Sequence, residues 1–402
     1  MDLTEYGHCL ISNYAVPPVA FDRGEGARIW DVGGNEYLDF SSGIAVTCLG
    51  HSHPKWVSAV QKQAAKLVHC TNLFAIPEQA RLAERLTAKA GTGRMLFCNS
   101  GAEANEALIK LARLYGCSKA GGEEGKIVKI VTAEGDFHGR TYGAMSATSG
   151  SKIRSGFAPL APGFVFAKFN ELASFEALLD EDTAAVLIEP IQGEGGIRET
   201  SDDVLRGIRQ LCDERGILLM LDEVQSGMGR TGRFFSYESA GIKPDAIALA
   251  KGLGGGFPIG AIWVNESYAD LFKPGSHGTT FGGSPLACAA AHAVIDVIEE
   301  EKLIEKVALR GASFKAELEA LAARHPDLVK EVRGRGYLLA MSMKVPCGEI
   351  VSALRKGGLI AVPAGGDSVR MLPPLNATEG EITEALEIID NTLSTFPTVP
   401  KP

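Results

Sequence analysis

The chain has 402 residues, 45% of them hydrophobic, which is enough for two or three domains with a large core. Its formal net charge of -9 argues against nucleic acid or an anionic membrane as a partner. The sequence has eight cysteines but no CxxC pair, which predicts free thiols. It has no apolar stretch long enough to span a membrane, and residues 1–5 are polar, so we expect a cytoplasmic protein.

The predicted elements begin with a β-hairpin, in which Arg28–Asp31 and Glu36–Phe40 flank the turn Val32–Asn35. From about residue 50, helices and strands alternate, which favours an α/β fold with a mostly parallel, doubly wound sheet. The predicted helices are Lys55–His69, Glu78–Ala90 and Ala102–Tyr115, and the predicted strands are Met95–Cys98, Lys126–Thr132, Ala185–Glu189, Ile217–Leu221 and Ala246–Ala250.

After Pro285 the pattern changes to α+β. A long helix is predicted to about Glu300, and a charged helix follows it to His325. The remaining predicted segments are Tyr337–Met343, Glu349–Lys356, Leu359–Val362, Val369–Leu372 and Glu379–Leu393. Because a hairpin cannot stand alone, we assign residues 1–49 and 286–402 to one smaller domain and residues 50–285 to a large domain.

Two polar residues follow the predicted apolar strands. Asp222 comes after Ile217–Leu221, and Lys251 comes after Ala246–Ala250 with a run of glycines behind it. In an open α/β sheet the chemistry lies just past the carboxyl ends of the strands, so we expect both residues at one edge. Burial lowers the pKa of a lysine toward the nucleophilic amine. An Asp and a Lys at one rim suit pyridoxal phosphate, with Lys251 forming the Schiff base and Asp222 at the pyridine nitrogen.

A phosphate site is expected where a strand ends and a helix begins, at Ser100, Gly101 and Glu103. Ser100 with Glu103 fits a capping box, and Gly101 lets backbone N–H groups approach an anion. By itself, an ordinary capped helix is the commoner explanation of these residues. Other phosphate loops fit less well, because Gly122–Ile127 lacks the Ser or Thr of a P-loop and Gly252–Phe257 does not complete a G-x-G-x-x-G.

Further candidates have both a functional and a structural interpretation. Phe137 could stack on a flat ring, and Arg140 could bind a carboxylate. Taken alone, however, a Phe is more often part of the core and an Arg is more often a solvated surface charge. The pair His51 and His53 has no accompanying Cys or acid cluster, so we predict no metal site. The other candidates are polar residues in loops or on a small-domain strand: Glu189, Glu194, Thr279, Thr280 and Arg370.

Taken together and in order, these motifs resemble the class III pyridoxal-phosphate aminotransferases. The motifs are Asn99–Ala107, Phe137–Thr141, Glu189–Glu194, Asp222–Gly232 and Ala250–Gly252. The resemblance runs from about residue 10 to 395. Within the family, the segments Gly24–Asp31, Gly43–Val46 and Leu49–Pro54 are most similar to the acetylornithine branch.

The resemblance implies a fold-type I pyridoxal-phosphate enzyme that works as a homodimer with shared active sites. It implies that Lys251 binds the cofactor and then moves the substrate proton, that Asp222 keeps the pyridine nitrogen protonated, and that Gln225 contacts the ring hydroxyl. The other residues that it assigns to the cofactor are Ser100, Gly101 and Ala102 at the phosphate, Thr280 reaching the phosphate from a second subunit, and Phe137 against the ring.

The implied reaction transfers the amino group of N2-acetyl-L-ornithine to 2-oxoglutarate, a step of arginine biosynthesis. The resemblance assigns Arg140, with Thr279 nearby, to the acetylornithine carboxylate. It assigns Arg370 to the α-carboxylate of glutamate, and Glu194 would pair with Arg370 when the other substrate is bound. This chain departs from the family where Ala102 replaces a frequent Thr, and at 16–17, where a polar or basic residue is usual.

Alternatives remain within and outside the family. The amino donor is open among ornithine, succinylornithine, succinyl-diaminopimelate and 4-aminobutyrate, and a semialdehyde aminomutase would need no second substrate. A cofactor-binding protein without catalysis is disfavoured because Lys251, Asp222 and Arg370 are all present. A nucleotide-dependent oxidoreductase lacks its glycine fingerprint.

Overall fold

The computed structural model describes residues 6–397, so the polar start at 1–5 and the end of the predicted small domain at 398–402 lie outside it. In chain order, its strands are β1 Phe21–Glu25, β2 Arg28–Asp31, β3 Glu36–Asp39, β4 Gly93–Cys98, β5 Lys129–Ala133, β6 Phe164–Ala167, β7 Thr183–Ile188, β8 Ile191–Gln192, β9 Arg198–Glu199, β10 Leu218–Asp222, β11 Ala246–Leu249, β12 Gly260–Asn265, β13 Val329–Arg335, β14 Leu338–Met343, β15 Leu359–Ile360, β16 Val362–Ala364 and β17 Ser368–Met371. Its helices are α1 Ser42–Ala45, α2 Pro54–Lys66, α3 Pro77–Ala90, α4 Gly101–Lys119, α5 Tyr142–Ala147, α6 Ser151–Arg154, α7 Leu172–Leu178, α8 Asp202–Arg215, α9 Glu266–Ala269, α10 Pro285–Glu300, α11 Leu303–Arg324, α12 Cys347–Lys356 and α13 Glu379–Thr395, with 3-10 turns at Ser236–Ala240 and Lys251–Leu253.

A seven-stranded sheet forms the centre of the molecule, in the order β4-β12-β11-β10-β7-β5-β6. Every residue of β7, β10 and β11 is buried, as expected for parallel strands that helices cover on both faces. The predicted mostly parallel α/β sheet is therefore confirmed. The exception within this sheet is β12, which was not predicted and runs antiparallel to both β11 and β4.

The topology brings the two predicted strand ends together. Strands β10 and β11 are parallel neighbours, with Asp222 paired in register with Ala248. Asp222 and Lys251 therefore leave the sheet at the same edge. Helix α4 begins at this edge as well, directly after β4, and buries Ala104, Leu108 and Leu111 against the sheet.

The two ends of the chain join in smaller sheets beside the central one. The predicted hairpin is confirmed, since β2 and β3 pair antiparallel, and β3 also pairs in parallel with β15 near the other end of the chain. A second small sheet has the order β13-β14-β17-β16. This pairing agrees with a small domain built from both termini, while the boundaries after residues 49 and 285 remain predictions.

All eight cysteines are free thiols. Within residues 6–397, the structure contains no helix long and apolar enough to cross a membrane. In the same range, no three His, Cys, Asp or Glu side chains are grouped so that they could hold a metal ion.

Candidate active site

Lys251 lies where β11 leaves the sheet. Its φ is +46°, a left-handed conformation that side chains other than glycine rarely adopt, and it opens the 3-10 turn Lys251–Leu253. Within residues 6–397, its amino group forms no hydrogen bond or ion pair. Burial, and next the Arg370 cation, lower the pKa of Lys251 to about 8, against the opposing charges of Glu194 and Asp222. The amine is therefore half neutral only slightly above neutral pH.

Asp222 is held by a buried hydrogen-bond network. Its Oδ2 accepts from Asn105 Nδ2 at 2.7 Å and from His138 Nδ1 at 2.9 Å, and its Oδ1 accepts from the Val224 backbone N–H at 3.0 Å. His138 Nε2 lies 3.6 Å from Asp136 Oδ2. Burial opposes a charge on His138, but its contacts with Asp136 and Asp222 outweigh burial and raise its pKa to about 10. The two carboxylates therefore favour the protonated imidazole, and three donors hold Asp222 in one orientation.

Glu189 fastens the loop that carries Phe137. This buried carboxylate follows β7 and accepts from the backbone N–H of Phe137 at 2.8 Å and of Gly193 at 3.0 Å. Burial, together with the nearby charges of Asp136 and Asp222, raises the pKa of Glu189 well above its usual value. Glu189 therefore joins the loop after β5 to the loop after β8.

Arg370 on β17 lies against the loop that follows β8. Its side chain is 1% exposed, and its Nη1 donates to Glu194 Oε1 at 2.7 Å, Gln225 Oε1 at 2.9 Å and the Gly193 carbonyl at 3.1 Å. Arg370 Nε is buried without a partner among the described residues. The predicted pair of Glu194 and Arg370 is thus in contact, and part of the guanidinium remains unsatisfied.

The start of α4 offers free backbone donors. Ser100 caps the helix by accepting from the Glu103 N–H at 3.2 Å, whereas the Glu103 carboxylate accepts from the Asn99 N–H at 2.5 Å. Only half of the predicted capping box is therefore present, because a complete box would use the N–H of Ser100 itself. Among the described residues, nothing accepts from the N–H groups of Gly101 and Ala102. Such donors at a helix N-terminus suit an anion.

Two further predicted residues, Phe137 and Arg140, lie together in the loop after β5. The guanidinium carbon of Arg140 is 5.6 Å from the centroid of the Phe137 ring. Phe137 is half-buried and Arg140 is exposed. The ring and the cation are therefore presented on the same side of this loop.

The structure brings nine of the predicted residues to one cavity of about 410 Å³. They are Ser100, Gly101, Ala102, Phe137, Arg140, Glu189, Asp222, Gln225 and Lys251. Arg370 reaches this group through Gln225, and Glu194 through Arg370. A cavity of this size suits a small cofactor with part of a substrate.

Thr279 and Thr280 do not line this cavity. Thr279 Oγ1 accepts from Asn99 Nδ2 at 3.1 Å, and Asn72 Nδ2 donates to the Thr279 carbonyl at 3.2 Å. The Thr280 side chain is exposed on the adjacent surface. Within one chain these threonines are therefore apart from Lys251.

Sequence reasoning assigned no role to two residues that contact Asp222, namely Asn105 and His138. Both are about 1% exposed. Asn105 was visible only as a polar residue inside an apolar helix face, and His138 only as part of the motif Phe137–Thr141. A buried polar residue without a local partner was the available signal.

Known proteins resemble this chain over nearly its full length. The family described as Aminotransferase class-III matches residues 11–393. An acetylornithine aminotransferase from Caldanaerobacter subterraneus is 46% identical over 386 residues, covering 96% of this chain and 97% of that protein. A solved acetylornithine aminotransferase from Elizabethkingia anophelis has a TM-score of 0.86 and 35% identity, covering 98% and 97% of the two chains. A Toxoplasma gondii ornithine aminotransferase, with partially occupied PLP at its active site, has a TM-score of 0.92 and 34% identity, covering 96% and 92%.

Proposed function

This chain belongs to the class III aminotransferases, and on that premise we propose that it transfers the δ-amino group of N2-acetyl-L-ornithine to 2-oxoglutarate. It is a pyridoxal-phosphate-dependent enzyme. The products are N-acetyl-L-glutamate 5-semialdehyde and L-glutamate, as needed in arginine biosynthesis. The observation that carries the proposal is the nearly full-length similarity to acetylornithine aminotransferases, combined with a cavity lysine, Lys251, that has no hydrogen-bond or ion-pair partner among residues 6–397.

The residues present fit the cofactor. The free N–H groups of Gly101 and Ala102 suit its phosphate, and Asp222 suits its pyridine nitrogen because the carboxylate is already oriented by neutral and cationic donors. A Cβ added to Gly101 would lie 2.6 Å from Val224 Cγ1, so the helix start packs too closely for a side chain. We assign Phe137 to the ring face and Gln225 to the ring hydroxyl. When bound, pyridoxal phosphate supplies an electron sink for the carbon that loses a proton.

Lys251 performs the proton transfers in this proposal. With a pKa of about 8, its amine binds a proton near neutral pH and releases it again, as a general acid and base requires. Asp222 stays fixed while Lys251 acts, since Asn105 and His138 hold the same carboxylate oxygen. In this proposal Asp222 holds the cofactor ring, and Lys251 moves the proton.

Two arginines hold the substrate carboxylates in turn. Arg140 receives the carboxylate of acetylornithine, with Thr279 contributing from nearby, and Arg370 receives the α-carboxylate of glutamate. The 2.7 Å contact of Glu194 with Arg370 supports a switch, in which Glu194 neutralises Arg370 while the acetylated donor is bound. Glutamate or 2-oxoglutarate would displace Glu194 from Arg370.

A homodimer with shared active sites completes the proposal. Apolar side chains near the threonine loop are open to solvent, with Leu73 87%, Phe74 70% and Phe281 62% exposed. A large exposed apolar surface favours association with another chain. We place Thr280 of one protomer at the phosphate of the other, and Thr279 near the other protomer's substrate.

The proposal also includes the location of the protein in the cell, its partners and its division into domains. The free thiols and the acidic charge support a cytoplasmic location without nucleic acid or a membrane as partner. The pairing of β3 with β15 supports a small domain formed by residues 1–49 and 286–402 around the cofactor domain at 50–285. The partners are thus small amino acids, 2-oxoglutarate and a second copy of the chain.

A panel of amino donors tests the substrate. We expect the purified holoenzyme with 2-oxoglutarate to use N2-acetylornithine with a kcat/KM at least about tenfold above that for ornithine, succinyl-diaminopimelate or 4-aminobutyrate. Ornithine is the second candidate, because the solved ornithine aminotransferase superposes so closely on this chain. A higher kcat/KM for ornithine would replace the first proposal with the second. A Lys251→Ala variant should lose the activity and the absorbance band of cofactor that is linked to Lys251.

A further inference from the structure

The position of Arg140 depends on its backbone. Within residues 6–397, its guanidinium forms no hydrogen bond or ion pair, and the side chain that it faces is the Phe137 ring at 5.6 Å. An exposed arginine has many rotamers, and one ring contact contributes little to fixing them. The loop itself must therefore carry the arginine to a defined place.

That loop is fixed at two points on helix α4. Gly139, with a φ of +136°, packs so closely on the helix start that an added Cβ would lie 2.8 Å from Ala102 Cβ. One turn further along the helix, Glu106 Oε1 accepts from Thr141 Oγ1 at 2.5 Å and from the Gly143 N–H at 2.8 Å.

Glu106 also binds the next residue of the loop, since the same oxygen accepts from the Ala144 N–H at 3.0 Å. These donors are the start of the short helix Tyr142–Ala147, whose first N–H groups have no partners within the helix. A carboxylate at a helix start is favoured both by these bonds and by the helix dipole. Arg140 is therefore bracketed by Gly139 on one side and by the Glu106 contacts on the other.

We propose that Glu106 is a positioning residue for Arg140, and that it sets the preference of the enzyme for amino donors that carry a carboxylate. The inference rests on the proposed function only in that Arg140 receives the donor's carboxylate. Gly101, whose N–H is assigned to the phosphate, and Glu106 lie on the same rigid helix. Helix α4 thus fixes the separation between the phosphate site and the carboxylate clamp.

A matched pair of donors separates positioning from general stability. N-acetylputrescine is N2-acetylornithine without its carboxylate, so it reports on every step except the contact with Arg140. We expect Glu106→Met, which removes the acceptor at similar size, to lower kcat/KM for acetylornithine about tenfold and to leave that for N-acetylputrescine within about twofold. Glu106→Gln should restore most of the loss, because one oxygen accepts all three bonds and an amide oxygen can replace it.

Three further variants control the experiment. Glu123→Met makes the same chemical change as Glu106→Met at an exposed pair with Lys126, and should leave kcat/KM unchanged for both donors. Gly143→Ala keeps Glu106 but places a Cβ 2.3 Å from its Oε2, so it should reproduce the selective loss on acetylornithine. In an Arg140→Gln background, Glu106→Met should not further lower the ratio of kcat/KM for acetylornithine to kcat/KM for N-acetylputrescine, because the side chain that Glu106 positions has been removed.

The outcomes are distinct. Equal losses on both donors in Glu106→Met, or an unchanged kcat/KM for acetylornithine, would overturn the positioning role. If the wild-type enzyme does not favour acetylornithine over N-acetylputrescine, the assignment of Arg140 in the proposed function fails instead. If Glu106→Met does not fold, Gly143→Ala decides between these results: a loss confined to acetylornithine supports the positioning role, and equal losses on both donors or none overturn it.

Discussion

The amine of Lys251 combines three local conditions: burial, a neighbouring cation and the lack of a hydrogen-bond partner within the described residues. Burial and then the Arg370 cation lower its pKa to about 8, against the opposing charges of Glu194, Asp222 and Glu189. Only the neutral amine attacks an aldehyde. We expect the rate at which cofactor-free enzyme binds pyridoxal phosphate, followed by absorbance, to rise through about pH 8 and to level above it. A rate that continues to rise toward about pH 10.5, as for an ordinary lysine, would contradict this environment.

Glu194 offers a second test at the scale of one residue. Removing its carboxylate leaves Arg370 hydrogen-bonded to Gln225 and Gly193 but without a counter-charge while the acetylated donor binds. We expect Glu194→Ala to slow the acetylornithine half-reaction about tenfold in single-turnover assays, and the glutamate half-reaction much less, because glutamate brings its own carboxylate. Equal losses in the two half-reactions would exclude the switch.

Sequence alone predicts a site residue when its place follows from a rule about strands. Lys251 and Asp222 were located because parallel strands end at one edge of a sheet. Asn105 and His138 were missed because their contacts with Asp222 span 117 and 84 residues of chain, and no local pattern encodes such contacts. The residues that orient the chemistry are thus harder to predict than those that perform it.

At the scale of elements, the start of helix α4 is the feature most sensitive to a small change. An added Cβ at Gly101 would meet Val224 Cγ1 at 2.6 Å, and the Val224 N–H is bound to Asp222 Oδ1 at 3.0 Å. Crowding of this kind costs about 1–3 kcal/mol, so we expect Gly101→Ala to weaken pyridoxal-phosphate binding roughly tenfold. Fluorescence titration of the cofactor-free protein would measure the change.

A matched control exists on another helix. Gly348 lies in α12 and is exposed, and a Cβ added there would have no neighbouring atom within 4 Å. Gly348→Ala should leave cofactor affinity unchanged and raise stability slightly, because alanine favours a helix. If both variants bind the cofactor as the wild type does, close packing at the start of α4 is not needed for the phosphate site.

The long helices were easier to predict from the sequence than the strands of the central sheet. The long helices α4 and α10 were predicted, and α10, predicted after Pro285 to about Glu300, spans Pro285–Glu300. Strand β12 was missed because an apolar run after a glycine-rich loop does not reveal its length or direction. Its antiparallel place between β4 and β11 depends on pairing across the sheet, which is settled by tertiary structure.

At the scale of the whole molecule, a buried arginine joins distant parts of the chain. Arg230, 2% exposed, donates to the carbonyl groups of Tyr337 and Pro373, and the Tyr337 N–H donates to the Arg230 carbonyl at 2.9 Å. Burial lowers the pKa of Arg230 to about 10. The loop after β10, which follows Asp222, is therefore tied directly to the C-terminal region that carries Arg370. Sequence predicted that both termini belong together, but not through which contacts.

Shared active sites make the strongest prediction for the assembled protein. If Thr280 acts in the site of the neighbouring protomer, a mixed dimer of one Lys251→Ala chain and one Thr280→Asp chain contains one intact site. That site takes its lysine from the Thr280→Asp chain and its threonine from the Lys251→Ala chain. The introduced carboxylate disables the phosphate site by charge repulsion. After co-expression, half of the dimers are mixed and each has one working site of two, so we expect about one quarter of wild-type activity.

The control for this experiment is a mixture in which no intact site can form. Thr280→Asp chains combined with chains that carry both Lys251→Ala and Thr280→Asp should show only the residual activity of Thr280→Asp alone. Within a single chain, Thr280 is exposed and does not line the cavity of Lys251. Activity in the first mixture no higher than in this control would show that Thr280 does not act across the dimer, and each protomer would then have to complete its phosphate site from its own residues.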